Sequence, residues 1–217
     1  MYLGEMALLI LSALILTGLA RAVTARLALN DFVATFLIFV IVLLNVRGGI
    51  KLTERYSIGL GGVLSVIVSV YMAIARRERP SDLIFAVISM LGNAAIVFAY
   101  TLHFLNQTSI DPRALSALLS LLSGVWCALA ARRTFAACFF AAITGGFLGT
   151  TLYLLFFQNN GYIGGSYAFS TMWLSAIFGL TIQYLFTFMM RAIKSPRANS
   201  YFEAGELMEN EDNENKK

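Results

Sequence analysis

Long apolar runs separated by short polar connections dominate the sequence. A helix needs about 20 apolar residues to cross the hydrocarbon core of a bilayer, and seven runs meet or approach that length. They extend over about Leu3 to Ala20, Phe32 to Val46, Ile58 to Ala75, Leu83 to Leu105, Ala114 to Ala131, Phe135 to Phe157 and Tyr167 to Met190. The pattern predicts an all-α fold, a polytopic transmembrane bundle of about seven helices.

The two ends of the chain differ in character. The first run is expected to be a retained helix, because a cleaved signal peptide would carry basic residues before its apolar stretch and Glu5 is the only early charge. We predict a transmembrane bundle over residues 1–197. Residues 198–217 are polar and acidic, which predicts a disordered cytoplasmic tail, with docking to a cytoplasmic partner as the alternative.

Composition supports the membrane assignment. The chain is 59% hydrophobic and 13% charged, whereas soluble domains have about 45–50% apolar and about 25% charged residues. These values argue against a soluble enzyme, a disordered chain and a disulfide scaffold. The two cysteines, Cys127 and Cys138, lie inside apolar runs and are interpreted as small apolar fillers.

The basic residues set the predicted orientation. The acidic tail has a net charge of −4, which leaves +8 on the rest of the chain. These basic residues are spread singly and in pairs between apolar runs, so we expect no nucleic-acid partner. With the N-terminus outside and the C-terminus cytoplasmic, ten Lys and Arg residues face the cytoplasm and four face outwards. The positive-inside rule favours that orientation. Tyr162, Tyr167 and Tyr201 are expected to be anchors at headgroup depth.

Four of the predicted helices carry small residues at every fourth position. Such residues allow helices to approach closely within lipid. They are Ser57, Gly61, Ser65, Ser69 and Ala73 in the third helix, Ser116, Ser120, Gly124 and Ala128 in the fifth, Ala137, Ala141, Gly145 and Gly149 in the sixth, and Thr171, Ser175 and Gly179 in the seventh. We expect a compact bundle around these four helices, with the bulkier first, second and fourth helices facing lipid. A narrow pore lined by the small residues is the alternative.

Few residues inside the runs carry reactive groups. The sequence has no nucleophile–base pair, no metal-binding motif and no phosphate-binding loop, so we expect neither an enzyme nor a cofactor. Glu5 and His103 are expected near the outer ends of their helices, where water reaches them. Asn45, Asn93 and Gln183 are candidate buried amides, and such amides usually hydrogen-bond between helices.

Two glycine-rich connections lie on the predicted outer side, over residues 45–62 and 144–166. Irregular backbone at membrane depth is tolerated where protein or a water-filled cavity surrounds it. The first connection carries three basic residues, Arg47, Lys51 and Arg55. One interpretation is an ordinary solvated loop in which Glu54 offsets one base. The other is an outward lip that binds an anionic headgroup or solute.

The order of these features resembles an uncharacterised family of prokaryotic multi-pass membrane proteins, the domain of unknown function family sixteen-fourteen. The similarity lies in Leu44-Asn45-Val46, in Ile58 to Gly62, in Thr144 to Thr151 and in Ile163 to Phe169, and it covers most of residues 27–186. The resemblance implies a shared fold and no assigned activity. The family places an acidic residue in each late motif, where this chain has Thr151 and Ser170.

Three functions compete, and an enzyme ranks last because the sequence has no reactive group of residues. The first is a small-solute or lipid-handling transport component of the plasma or inner membrane. The alternative is a non-enzymatic scaffold or partner subunit of a larger membrane complex. The expected partners are the lipid bilayer and either further copies of the chain or other membrane subunits. Convergence of Asn45, Asn93, His103 and Gln183 on one water-accessible pocket would favour transport, whereas dispersed positions bonded to neighbouring helices would favour a scaffold.

Overall fold

A computed structural model describes residues 3–18, 24, 27, 29–76, 80–104, 112–131, 134–158 and 161–214. Residues 1–182 form one compact unit and residues 183–217 a second. Within the described residues the fold is all-α, with three short strands added to seven helices. The helices are α1 (Leu3–Leu16), α2 (Asp31–Val46), α3 (Leu60–Ala75), α4 (Pro80–Phe104), α5 (Pro112–Ala130), α6 (Phe135–Phe157) and α7 (Ser166–Glu214).

The helix boundaries follow from local chemistry. Proline is the first residue of α4 and of α5, a position where its missing N–H costs no hydrogen bond. The side chain of Asn30 accepts a hydrogen bond from the Phe32 amide and caps α2. Thr134 accepts one from the Ala137 amide and caps α6. These caps satisfy backbone donors that helix starts leave free.

Three stretches are long and apolar enough to cross a membrane: Ser81–Phe104, Phe135–Phe157 and Ser166–Met190. The chain is therefore a helical membrane protein. Four apolar helices are shorter, namely Leu3–Leu16, Asp31–Val46, Leu60–Ala75 and Ala114–Ala130. Seven membrane spans remain a prediction.

The backbone of α7 is helical as far as Glu214, and disorder of the tail over residues 198–217 stays a prediction. Residues 203–209 include Glu, Ala, Leu and Met, which are strong helix formers. Their propensity favours a helical backbone in this segment. The domain boundary at residue 197 is still a prediction.

The two glycine-rich connections form one small sheet. Its strands are β1 (Gly49–Lys51), β2 (Tyr56–Gly59) and β3 (Gly161–Ile163). β1 pairs antiparallel with β2, and β2 pairs parallel with β3. Residues 56–59, of which Ile58 and Gly59 were predicted to begin the third helix, are therefore strand. Gly48 and Gly164 have positive φ angles of 91° and 71°, which glycine adopts without steric cost.

The small-residue stripes are buried packing faces, as predicted, except that Ser57 is half-buried in β2 and does not belong to a helix. Gly61, Ser65, Ser69 and Ala73 are buried on α3, and α6 buries residues around its whole circumference. A Cβ atom at Gly124 of α5 would lie 2.8 Å from Cβ of Phe178 on α7. The helices thus approach to backbone contact, which requires the absence of larger side chains.

The predicted lipid-facing position of the fourth helix is only half right. One face of α4 exposes large apolar side chains such as Ile84, Ile88 and Leu91. The other face packs closely on α6, where a Cβ atom at Gly149 would lie 2.6 Å from the carbonyl oxygen of Ala94. The bulky residues occupy one side of the helix. Its average residue size therefore does not indicate that the other side packs closely.

Gly145 is predicted to be a sensitive contact between α4 and α6. A Cβ atom there would lie 2.7 Å from the backbone oxygen of Met90. Gly145→Ala should therefore lower stability by about 1–3 kcal/mol through overpacking, measured as a fall in unfolding temperature in detergent. Gly146→Ala is the matched control, because its nearest neighbour is the flexible Met172 side chain at 3.1 Å. Equal destabilisation by both variants would contradict this packing.

Candidate functional site

Asn93 joins three helices. It lies on α4 with its side chain fully buried. Its Nδ2 donates to the carbonyl oxygens of Ala141 and Ala142 on α6, at 3.0 and 3.4 Å. Ser123 of α5 donates to Asn93 Oδ1 at 2.5 Å. Donor and acceptor are both used, so Asn93 acts as interhelical glue, as its amide chemistry predicts.

Asn45 forms a separate interhelical hydrogen bond. It is buried near the end of α2, and its Nδ2 donates to Glu5 Oε1 of α1 at 2.8 Å. The expected water-exposed position of Glu5 is wrong, because Glu5 is only 5% exposed. Packing of α1 brings it inside, since the Gly4 amide donates to Ser170 Oγ of α7 at 3.1 Å.

The remaining predicted site residues are exposed. His103 lies near the end of α4, with its ring edge-on to Phe104 at 4.7 Å between centroids. Arg47, Lys51 and Arg55 are exposed around the β1–β2 hairpin. Ile50 and Leu52 beside them are 56% and 57% exposed, so the hairpin presents basic and apolar side chains together.

These predicted residues do not converge on one pocket. Asn93 lies between α4, α5 and α6, and Asn45 lies between α1 and α2. His103 and the three basic residues are on the surface. Gln183 belongs to the second compact unit. Each amide with a described interhelical bond therefore holds neighbouring helices together.

A polar pocket lies instead beside β3, between the ends of α4 and α6 and the start of α7. Its volume is about 420 Å³, within the range of about 300–1,000 Å³ that is usual for small-ligand sites. Its polar lining includes Thr101, Tyr153, Gln158, Tyr162, Ser166 and Tyr167. Helix ends and a strand edge supply these side chains, so rigid elements position the site.

Three hydroxyl groups in this lining are buried without a hydrogen-bond partner among the described residues: Thr101 Oγ1, Tyr162 Oη and Tyr167 Oη. Thr101 is only 1% exposed. The Thr101 and Tyr167 side chains are close enough to interact, but their hydroxyls fail the geometry of a hydrogen bond. Hydrogen bonds weaken steeply when they are misaligned. Buried unpaired hydroxyls cost free energy, so a hydrogen-bond partner for them would stabilise the fold.

Two glycine residues leave space for the Tyr162 ring. A Cβ atom at Gly165 would lie 2.5 Å from Tyr162 Cδ1, and one at Gly49 would overlap the other side of the ring. Gly161 donates its amide to the Arg55 carbonyl at 3.1 Å, and Tyr56 Oη donates to the Gln158 carbonyl at 2.9 Å. The glycine-rich connections thus allow β1, β2 and β3 to hold one tyrosine at the pocket. Burial raises the pKa of Tyr162 above its usual value of 10.0, so its hydroxyl stays neutral near pH 7.

The chemistry of this pocket is not evident from the sequence. Tyr162 and Tyr167 were interpreted as interface anchors, and Thr101 and Tyr153 were not singled out. The sequence feature that could have indicated this site is Tyr162, which lies next to Gly161, Gly164 and Gly165. Thr101 and Tyr153 carry no such local signal, because only tertiary packing brings them to β3.

Other groups offer less chemistry. A second cavity of about 70 Å³ is lined by apolar side chains such as Ile15, Ile38, Met72 and Leu180. Cys127 and Cys138 are free and buried. Within the described part of the chain, no three His, Cys, Asp or Glu residues form a group that could hold a metal ion.

Comparison with known proteins adds no assignment. No family model, no curated protein and no solved structure matches the chain.

Proposed function

We propose that this membrane protein binds a small polar solute in the pocket beside β3 and acts as a component of its transport. The observation that carries the proposal is the set of three buried, unpaired hydroxyls lining one cavity. A fold retains such groups at a cost in stability, and a ligand that pairs with them would recover that cost. The three residues that carry these hydroxyls line one cavity, and a solute site requires polar groups around a single cavity.

The protein is proposed to be a seven-span bundle of the plasma or inner membrane, with its N-terminus outside and its C-terminus in the cytoplasm. In this orientation the pocket faces outwards. The balance of Lys and Arg residues supports this orientation. The sheet supports placing both glycine-rich connections on one side, because β2 and β3 meet although four helices, α3 to α6, lie between them. An even number of crossings returns the chain to the same side of a membrane.

The basic hairpin is proposed to contact anionic lipid headgroups beside the pocket. Arg47, Lys51 and Arg55 are exposed, and exposed Ile50 and Leu52 lie between them. Basic residues combined with apolar side chains are typical of surfaces that lie at the lipid interface. Membership of family sixteen-fourteen is a further proposal, supported by the same glycine-rich connections.

A scaffold or partner subunit is the second candidate. The bonding of Asn45 and Asn93 to neighbouring helices favours it, because these amides strengthen the bundle and do not line a solute path. In that case the pocket would hold only water, and the exposed faces would contact further copies or other subunits.

Solute flux into proteoliposomes distinguishes the two functions. Protein-containing vesicles should take up xylitol, choline or gluconate faster than protein-free vesicles do. The double variant Thr101→Val, Tyr167→Phe should reduce that flux by about tenfold, since each removed hydrogen bond contributes about 0.5–1.5 kcal/mol.

The control is Thr181→Val, Tyr71→Phe, which removes the same atoms outside the pocket. Thr181 bonds within its own helix, and Tyr71 is 69% exposed. Absence of protein-dependent flux for all three solutes would contradict transport and favour the scaffold.

Substitution of the basic hairpin tests the lipid contact. The triple variant Arg47→Gln, Lys51→Gln, Arg55→Gln should weaken binding of short-chain phosphatidylglycerol by about tenfold or more, because each basic residue near an anionic surface contributes about 1 kcal/mol. Stabilisation against heat on lipid titration measures the affinity, and phosphatidylcholine is the neutral control lipid. Glu54→Gln should preserve or strengthen binding. An unchanged preference for phosphatidylglycerol in the triple variant would refute the contact.

A further inference from the structure

The described lining of the pocket contains no acidic or basic side chain. Its polar groups are the hydroxyls of Thr101, Tyr153, Tyr162, Ser166 and Tyr167, with Thr150 and the Gln158 amide beside them. A charged ligand would lose its hydration there without meeting an opposite charge, which is strongly unfavourable. The lining therefore favours an uncharged ligand.

The unpaired groups are all hydroxyls. A hydroxyl can donate one hydrogen bond and accept others, so a ligand that does the same is the best complement. Thr101 Oγ1 and Tyr167 Oη belong to neighbouring side chains and lack aligned partners. A ligand with hydroxyls on adjacent carbons could pair with both groups at once.

Tyrosine rings supply the apolar part of the lining. Tyr153, Tyr162 and Tyr167 come from α6, β3 and α7. Each ring combines an apolar body with a polar tip, so ring faces can pack against C–H groups while hydroxyls bond to O–H groups. Alternating C–H and O–H groups are the signature of a polyol.

We propose that the pocket takes a small uncharged polyhydroxyl solute, a polyol or a monosaccharide. This assignment rests on the proposed solute-binding function and names its ligand class. The recognition elements are the hydroxyls of Thr101, Tyr162 and Tyr167, and the ring faces of the tyrosines supply apolar contact.

Equilibrium binding to the purified full-length protein in detergent tests the assignment. Radiolabelled erythritol, xylitol and glucose are compared with choline, a cation, and gluconate, an anion that keeps the hydroxyls. At least one neutral solute should bind more tightly than both ions. Thr101→Val and Tyr167→Phe should each weaken that binding about 2- to 10-fold, whereas Thr181→Val and Tyr71→Phe should leave it unchanged.

Stability without ligand separates a binding role from a structural one. Thr101→Val removes an unpaired buried hydroxyl and keeps the side-chain shape, so the unfolding temperature should be equal to or higher than that of the wild type. A fall in unfolding temperature together with the loss of binding would assign Thr101 a structural role and overturn its part in recognition.

The remaining outcomes test the ligand class and the location of the binding site separately. Stronger binding of choline or gluconate that depends on Thr101 and Tyr167 would overturn the neutral class and leave the proposed pocket in place. If no solute in the panel binds in a manner that depends on these residues, the pocket holds only water, and both the ligand class and the solute-binding function are overturned.

Discussion

Parallel pairing between β2 and β3 joins two connections that are far apart in the chain. Tyr56, Ser57 and Ile58 lie opposite Gly161, Tyr162 and Ile163, and the Tyr56 hydroxyl reaches the Gln158 carbonyl across 102 positions. Tyr162 is thereby fixed between Gly49 and Gly165. Without this pairing, neither Tyr162 nor the edge of the pocket would have a defined place.

The bundle beneath the sheet depends on close approach of helices. Lipid offers no hydrophobic drive for helix association, so small residues and polar contacts must supply it. Gly145 and Gly149 bring α6 against α4, and Asn93 bonds to α5 and α6 within that contact. Polar groups of the bundle core therefore hold helices together, whereas three buried hydroxyls near the sheet have no hydrogen-bond partner among the described residues.

Helix positions are the part of the fold that sequence predicts best. The apolar run Phe135 to Phe157 coincides with α6, because capping and length both mark its ends. The strands were missed, since three or four residues give no clear alternation and their pairing depends on distant partners. Ile58 and Gly59 adjoin an apolar run and so suggest the start of a helix, although β2 ends there.

Site prediction succeeded only where one residue carries the signal. Asn93 is an amide within an apolar run, and its interhelical role follows from that setting. Thr101 and Tyr153 are unremarkable in sequence, and they gain chemical meaning only because α4, α6 and β3 end at one place. The basic residues of the hairpin were conspicuous in sequence, yet the pocket lining contains none of them.

Disulfide trapping in native membranes tests the pairing of the two connections most directly. Ser57 and Tyr162 are register partners, and neighbouring strands lie about 4.7–4.9 Å apart, within the Cα separation of about 4.4–6.8 Å that a disulfide spans. With Cys127 and Cys138 replaced by alanine, Ser57→Cys, Tyr162→Cys should form an intramolecular disulfide on mild oxidation. Ser57→Cys, Thr134→Cys should not, since Thr134 caps the far end of α6. If the first pair stays reduced while each single cysteine reacts with a thiol reagent, β2 and β3 are not paired and the pocket lacks its edge.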